Sequence, residues 1–382
     1  MTNNKTNKSI AVIGGGPGGL MLGLLLQQQG YDYTIFEKAN PTVNNERGGS
    51  LDIHDDSGQL PIIETGIYDR FKSLVRYEGE DTKVIAKDGT VIFEEDAEGE
   101  GGRPEIDRGE LCDIILEQID KEHIKYGYDF ESLERLANNK VAVSFTNGEV
   151  EHFDLVVGAD GAFSKVRPYL STVDLDYTGI SMVEINIDDV KNNYPELAAY
   201  NKNGKAMALG GSQALLAQLN GDGRIKVYVS YRAPKEQLDT YKQLSLSELK
   251  AQLLSDFDGW HEDLKAYIHA MSDDVLFRRI YKLPIGFNWK HDAQLTLLGD
   301  AAHLMSPFAG EGVNTALYDA YIFVEALKKY DDFDEAISYY EQQMLSHAQE
   351  RAQESQDNLE LMFAPDAAQQ LGEFFNSVKS EE

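Results

Sequence analysis

The chain has 382 residues, 42% hydrophobic and 26% charged, which suits a globular protein of two domains better than one with a single core. Its formal net charge of −30 repels phosphate backbones and anionic lipid, which sets aside nucleic acid and membrane surfaces as partners. The single cysteine, Cys112, excludes an intramolecular disulfide and a cysteine-based metal site, and the helix-like run Leu111–Leu116 around it predicts a buried, inert thiol.

Residues 1–9 are polar, and the apolar run after them is broken by glycines. This reads as neither a signal peptide nor a membrane span, and predicts a cytoplasmic protein. Ile10–Ile13 predicts a short buried strand, and Leu20, Met21, Leu24 and Leu25 repeat at helical spacing up to Gly30. Between them Gly14, Gly16 and Gly19 fit G-x-G-x-x-G, with Pro17 inside the turn. The first glycine permits the tight turn, the second lets the backbone approach a pyrophosphate, and the third lets helix and strand pack closely. The helix N-terminus then offers free N–H groups to the phosphates. Tyr33–Glu37 makes the next strand, and Glu37, 23 residues after Gly14, is placed to accept from adenosine ribose hydroxyls, with Lys38 beside it. A 2′-phosphate would be repelled there.

Residues 38–60 read as loop, 78–102 as an acidic, Gly-rich stretch with strands near Val84–Ile85 and Val91–Phe93, and Arg108 opens a helical stretch to about Glu122. The run Phe153–Gly161 is a strand entering a turn that carries Asp160. From about 173 to 274, period-two stretches such as Arg224–Tyr231 predict an antiparallel sheet with one wet face. Leu295–Leu298 predicts a further buried strand ending on Gly299-Asp300, and Pro307–Asn314 leads into a helix. A carboxylate at such a strand end is placed for ribityl hydroxyls, and amides of the helix start, around Gly312 and Val313, for a flavin's pyrimidine edge. Two such signals so far apart point to FAD. The remainder is helical apart from a break at Pro365, and the long helix near 334–363 is expected to brace both domains.

The expected fold is therefore α/β. A Rossmann-type FAD-binding domain (1–72, 100–172, 275–325) carries an inserted antiparallel-sheet substrate domain (73–99, 173–274), and a long bridging helix occupies 326–382. Neither H-E-x-x-H nor G-x-S-x-G occurs, which argues against a zinc or serine hydrolase.

The set Gly14–Gly19, Gly158-Ala159-Asp160-Gly161 and Gly299-Asp300-Ala301-Ala302-His303 resembles the group A flavoprotein monooxygenases, single-component FAD enzymes similar to para-hydroxybenzoate hydroxylase. The runs Gly48–His54, Pro104–Arg108 and His303–Gly310 look like the TetX-type tetracycline-inactivating members. The resemblance implies that Asp52, Arg108 and Asp300 contact FAD, with Arg108 a partner for flavin or ribityl oxygens. An arginine credited in that family with NADPH contact falls on Asn45, with Arg47 two residues later as substitute. The family's substrate-facing Gln, Arg and His fall on Glu184, Lys205 and Lys226, so the cofactor cradle carries over better than the tetracycline pocket. Pro307 and Phe308 are expected to shape the cavity at the flavin, and Met207, Leu216, Tyr228 and Tyr231 its far wall. His54 and His303 invite a general acid–base reading, but His303, three positions after Asp300, reads as a structural hydrogen-bonding histidine.

The implied chemistry is reduction of FAD by NADPH or NADH, addition of O2 at flavin C4a to give a hydroperoxide, and transfer of one oxygen atom to a phenolic or enolic polycyclic compound, tetracycline among the candidates. The chain would act as a monomer or weak homodimer on a small molecule. Two other readings stand beside it: an FAD-dependent dehydrogenase or reductase that transfers no oxygen, and a flavoprotein that sequesters a ligand without turning it over.

Overall fold

Hydrophobic strands buried on both faces and amphipathic helices assemble here into two units, seen in a computed structural model that describes residues 8–40, 49–97, 99 and 101–379. Unit 1 comprises 1–75, 106–176 and 281–355, and unit 2 comprises 76–105, 177–280 and 356–382.

In unit 1 the first predicted strand is β1 (Ser9–Ile13), followed by α1 (Pro17–Gln28) and β2 (Asp32–Glu37). Later come α2 (Arg108–Leu116), β3 (Ile124–Tyr126), β4 (Leu155–Gly158) and β5 (Leu295–Leu297). The strands form one sheet in the order β5-β4-β1-β2-β3, every neighbouring pair parallel. Ile10, Val12, Ile35, Val156 and Leu297 are wholly buried, as strands covered on both faces require. A three-stranded antiparallel sheet (Phe130–Arg135, Val141–Phe145, Val150–Phe153) packs Phe145 and Phe153 around Phe36. Cys112 is buried on α2 as expected, and burial pushes its thiol up to about 11. That helix ends at Leu116, short of the expected Glu122, where Lys121–His123 make a separate turn of 3₁₀ helix.

After β5 come the one-turn α3 (Asp300–His303), α4 (Glu311–Lys329) and α5 (Phe333–Met362). The next helix starts at Ala367, so the break falls at Pro365 as expected. His291 fastens α5 in unit 1: its Nδ1 lies 2.6 Å from Glu341 Oε2 and its Nε2 2.9 Å from Asp334 Oδ1, while Thr296 and Trp289 donate to the other Glu341 oxygen. Burial opposes charge on this imidazole, but the two carboxylates prevail and raise its pKa. A raised histidine stabilises fully below its unfolded value, about 6.5, and that contribution is lost as pH rises through the folded value. His291→Gln is therefore expected to cost about 1 kcal/mol at pH 6 and less at pH 9, by urea denaturation. An equal loss at both pH values would contradict this.

Unit 2 is built on a seven-stranded sheet in the order Val275–Lys282, Asp176–Ile187, Ile225–Arg232, Gln213–Leu219, Lys205–Leu209, Thr82–Ala86, Val91–Glu95. Asp176–Ile187, Ile225–Arg232, Gln213–Leu219 and Lys205–Leu209 run antiparallel to one another in turn, as do Thr82–Ala86 and Val91–Glu95, whereas Lys205–Leu209 and Thr82–Ala86 pair parallel. Val183, Ile185, Val227 and Val229 form one core with Leu249, Leu253, Leu264 and Phe257 from the helical segment that follows. The period-two alternation is real, but the face expected to be wet is buried: Glu184 is 1% exposed, Asn186 3% and Lys226 8%. Charge pairing makes this possible. Lys226 Nζ lies 2.6 Å from Glu184 Oε1, and Arg278 Nε donates to Glu184 Oε2. Alternation reveals which side chains share a face, not whether that face meets water.

Candidate dinucleotide site

Parallel sheets collect ligands beyond the carboxyl ends of their strands, where loops from neighbouring strands converge. Here the glycine turn follows β1, Glu37 ends β2, Asp160 follows β4, and Asp300 follows β5. Four residues spread over nearly 290 positions of sequence thus stand at adjacent strand ends, because β1 lies centrally between β2 and β4.

The three glycines have separate reasons. Gly14 sits at φ +117°, and a Cβ there would stand 2.2 Å from the Ala159 carbonyl oxygen. A Cβ on Gly19 would stand 2.1 Å from the Gly14 carbonyl oxygen, so the helix can approach the turn only without one. A Cβ on Gly16 meets only Arg108 Nη2, at 3.7 Å. Gly16 is small for something outside the protein fold, with a guanidinium on the far side, as an anionic diphosphate requires. Pro17 opens α1, where its missing N–H costs nothing.

The Glu37 carboxylate is buried and already oriented, accepting from Gly15 N–H at 2.8 Å and from Ala39 N–H at 2.8 Å, while Lys38 is exposed. Asp160 accepts from the amides of Lys165 and Val166 through Oδ2, and its buried Oδ1 has no hydrogen-bond partner among the described residues. Burial raises the Asp160 carboxyl pKa. It raises that of Asp300 too, against the pull of His303, Arg108 and Arg167. A carboxyl whose charge is disfavoured by burial suits a hydroxyl-bearing ligand. Asp300→Ala is accordingly expected to leave apoprotein stability near wild type and weaken FAD binding about 100-fold, read by fluorescence titration and by the colour retained on gel filtration. Retention of stoichiometric FAD would remove Asp300 from the site.

Around the helix start, Gly310 lies at φ +69°, and a Cβ there would stand 3.0 Å from both carboxylate oxygens of Asp52. Asn314 ties this corner together: its amide nitrogen donates to the Asp52 and Gly310 carbonyls, and its oxygen accepts from the His54 N–H. A Cβ on Gly312 would stand 3.8 Å from Asp300 Oδ1, so Asp300 faces the first turn of α4. Val313 packs against the core, Pro307 is exposed and Phe308 partly buried on the turn before it. Arg47, with Asn45 and Gly48, lies outside the described residues.

Two partners absent from the sequence reading hold the cradle. Arg167, buried, donates to the carbonyls of Ala301 at 3.1 Å and Ala162 at 2.9 Å, bracing α3 against the Asp160 turn. Asp319 accepts from Gly299 N–H at 2.8 Å and lies 2.6 Å from His303 Nε2, so His303 is hydrogen-bonded within the protein. Nothing local in the sequence marks Asp319, which lies in a polar row with Glu311 and Thr315 on α4.

Of the residues expected to face substrate, the structure joins Glu184 to Lys226, as above, but pairs Lys205 with Glu105 at 2.9 Å. Those three lie in unit 2 and Phe308 in unit 1. Tyr228, Leu216 and Met207 are cross-strand neighbours in line with Glu184, on one sheet face. Tyr231 is not: it points into the helix-covered core and donates to Asp256, which corrects its expected place in a cavity wall.

The FAD binding domain family matches residues 7–355 of the chain. Among curated proteins, the monooxygenase asqM of Emericella nidulans is 27% identical, over 94% of this chain and 96% of that protein. Among solved structures, Klebsiella pneumoniae HpxO complexed with FAD and uric acid superposes with a TM-score of 0.81 at 21% identity, covering 100% of this chain and 94% of that one. The tetracycline destructase Tet(51) does so at 0.69 and 21%, covering 98% and 95%. At such identities these two structures share the fold.

Proposed function

Because this chain belongs to the FAD binding domain family, we propose that it is an FAD-dependent monooxygenase that consumes NADPH or NADH and O2 and hydroxylates a phenolic or enolic polycyclic compound. The observation that carries the cofactor is the convergence of the glycine turn, Glu37, Asp160 and Asp300 at neighbouring strand ends, with Gly16 open beneath Arg108. The full-length likeness to a fungal monooxygenase supports the oxygen chemistry. Bound FAD supplies that chemistry, accepting electrons from the nicotinamide and activating O2 at its C4a position.

The chain's own residues bind and orient. Glu37 takes the adenosine ribose, the turn and Arg108 the diphosphate, Asp300 the ribityl chain, and Asp52 with the α4 amides the pyrimidine side. Lys226 and Arg278 hold the Glu184 carboxyl below its ordinary range despite burial, which keeps it charged and paired. Its cationic partners favour substrates with an acidic hydroxyl or other anionic edge. The test is NADPH and NADH oxidation with O2 uptake, with and without tetracycline and a panel of simpler phenols. Substrate-dependent O2 consumption with a product heavier by one oxygen atom is expected. Anaerobic turnover with an artificial acceptor and no oxygenated product would make the protein a dehydrogenase, and tight binding without NAD(P)H loss would make it a sequestering protein.

A further inference from the structure

Glu311, Thr315 and Asp319 are spaced four residues apart on α4 and so share one face, and all are at least 98% buried. A buried face of a soluble helix is ordinarily apolar. The row from α5 that meets it, His347, Arg351 and Ser355, has the same spacing. Arg351 Nη1 lies 3.3 Å from Glu311 Oε1, His54 Nδ1 lies 3.4 Å from the same oxygen, and Arg351 Nε lies 3.5 Å from His347 Nε2. Asp319 closes the far end on His303. Five buried atoms of these rows have no hydrogen-bond partner among the described residues: Glu311 Oε2, Thr315 Oγ1, Asp319 Oδ1, His303 Nδ1 and His347 Nδ1. Interiors leave few such atoms, and ordered water is their usual partner. Turn after turn, this helix face offers donors and acceptors that protein does not satisfy.

We propose that Glu311, Thr315 and Asp319, with His303 and His347, line a hydrated proton path along α4 that opens at the Glu311 turn. The proposal rests on the placement of the flavin's pyrimidine edge at that turn. Hydride from NAD(P)H brings two electrons and one proton, so full reduction of FAD to its neutral form needs one more proton. Glu311 or a water beside it releases that proton, and the path restores it by way of Thr315 and the half-buried His347. The charged groups facing the path are Asp52, His54 and Asp56 before it, Asp300 on α3, Tyr340, Arg351 and Glu354 on α5, and Arg108 and Arg167 across Asp300. Arg351 holds Glu311 oriented, and the Thr315 hydroxyl stands one helical turn from each of the two carboxylates.

The experiment uses the FAD-loaded full-length protein, reduced anaerobically by a deazaflavin light flash, with a pH indicator following proton uptake and infrared difference spectra following carboxyl groups. Thr315→Val, which keeps shape and removes the hydroxyl, is expected to slow proton uptake about tenfold while flavin bleaching is unchanged. Glu311→Gln is expected to abolish the carboxyl difference band. Wild-type uptake in Thr315→Val with FAD retained overturns the path, as does a wild-type band in Glu311→Gln. If Glu311→Gln fails to hold FAD, Thr315→Val decides alone. A wild-type protein that takes up no FAD overturns the cofactor reading itself, a different result from a loaded protein with unchanged proton kinetics.

Discussion

Gly14→Ala is expected to destabilise the apoprotein by about 3 kcal/mol or more, whereas Gly16→Ala is expected to leave its stability within about 0.5 kcal/mol and weaken FAD binding about 10- to 100-fold. The two glycines sit two residues apart in one turn, yet a Cβ meets backbone in the first case and an arginine tip in the second. At Gly14 the added carbon faces the Ala159 carbonyl at 2.2 Å, at a φ of +117° that alanine resists, and neither β1 nor β4 can retreat without breaking sheet hydrogen bonds. At Gly16 the backbone is extended, at φ −77°, which alanine adopts freely. Urea denaturation without FAD separates the fold from the site, and fluorescence titration reads the site. Equal losses of stability in the two variants, or unchanged FAD affinity in Gly16→Ala, would show that the diphosphate does not pass over this turn.

Glu184→Gln is expected to cost about 3 kcal/mol at pH 7, because it leaves Lys226 buried without its counter-charge. The lower end of the range for broken buried pairs applies, since the Arg278 side chain is 47% exposed and partly screened by water. The sign with pH follows from the depressed carboxyl. Its contribution is present above the unfolded value, about 4.3, and is lost as pH falls through the folded one, so wild type and variant converge in acid. Replacing the pair by apolar residues of similar size, Glu184→Leu with Lys226→Met, is expected to cost less than Glu184→Gln alone. Identical denaturation midpoints for wild type and Glu184→Gln at pH 7 would mean that the charges are well solvated in solution.

These two variants also mark where sequence reasoning worked and where it stopped. The glycine turn was legible because G-x-G-x-x-G between a strand and a helix has one backbone solution, and Glu37 and Asp300 because a strand end fixes where a side chain stands. The parallel sheet followed from continuous apolar strands. What could not be read was pairing across distance. Nothing local in Arg278, Glu105 or Arg167 says that they answer Glu184, Lys205 and the carbonyls of Ala162 and Ala301. The resemblance puts Glu184 and Lys226 at substrate positions, and the structure adds that they hold each other. Asp319 and Asn314 carry no such signal, because a polar residue on a helix looks solvated until the helix is seen to be covered.

The strand order has a consequence in time. β1 lies at the centre of its sheet, and its neighbour β4 is completed by β5 only at residue 297. Between β4 and β5 the ribosome must make most of unit 2, and α4, which packs on α1, follows still later. A nascent chain therefore carries the glycine turn long before Asp300, and the four strand ends can converge only after residue 300 has been made. Termination before β5 leaves β4 as an unpaired parallel-sheet edge, the kind of surface that draws other chains.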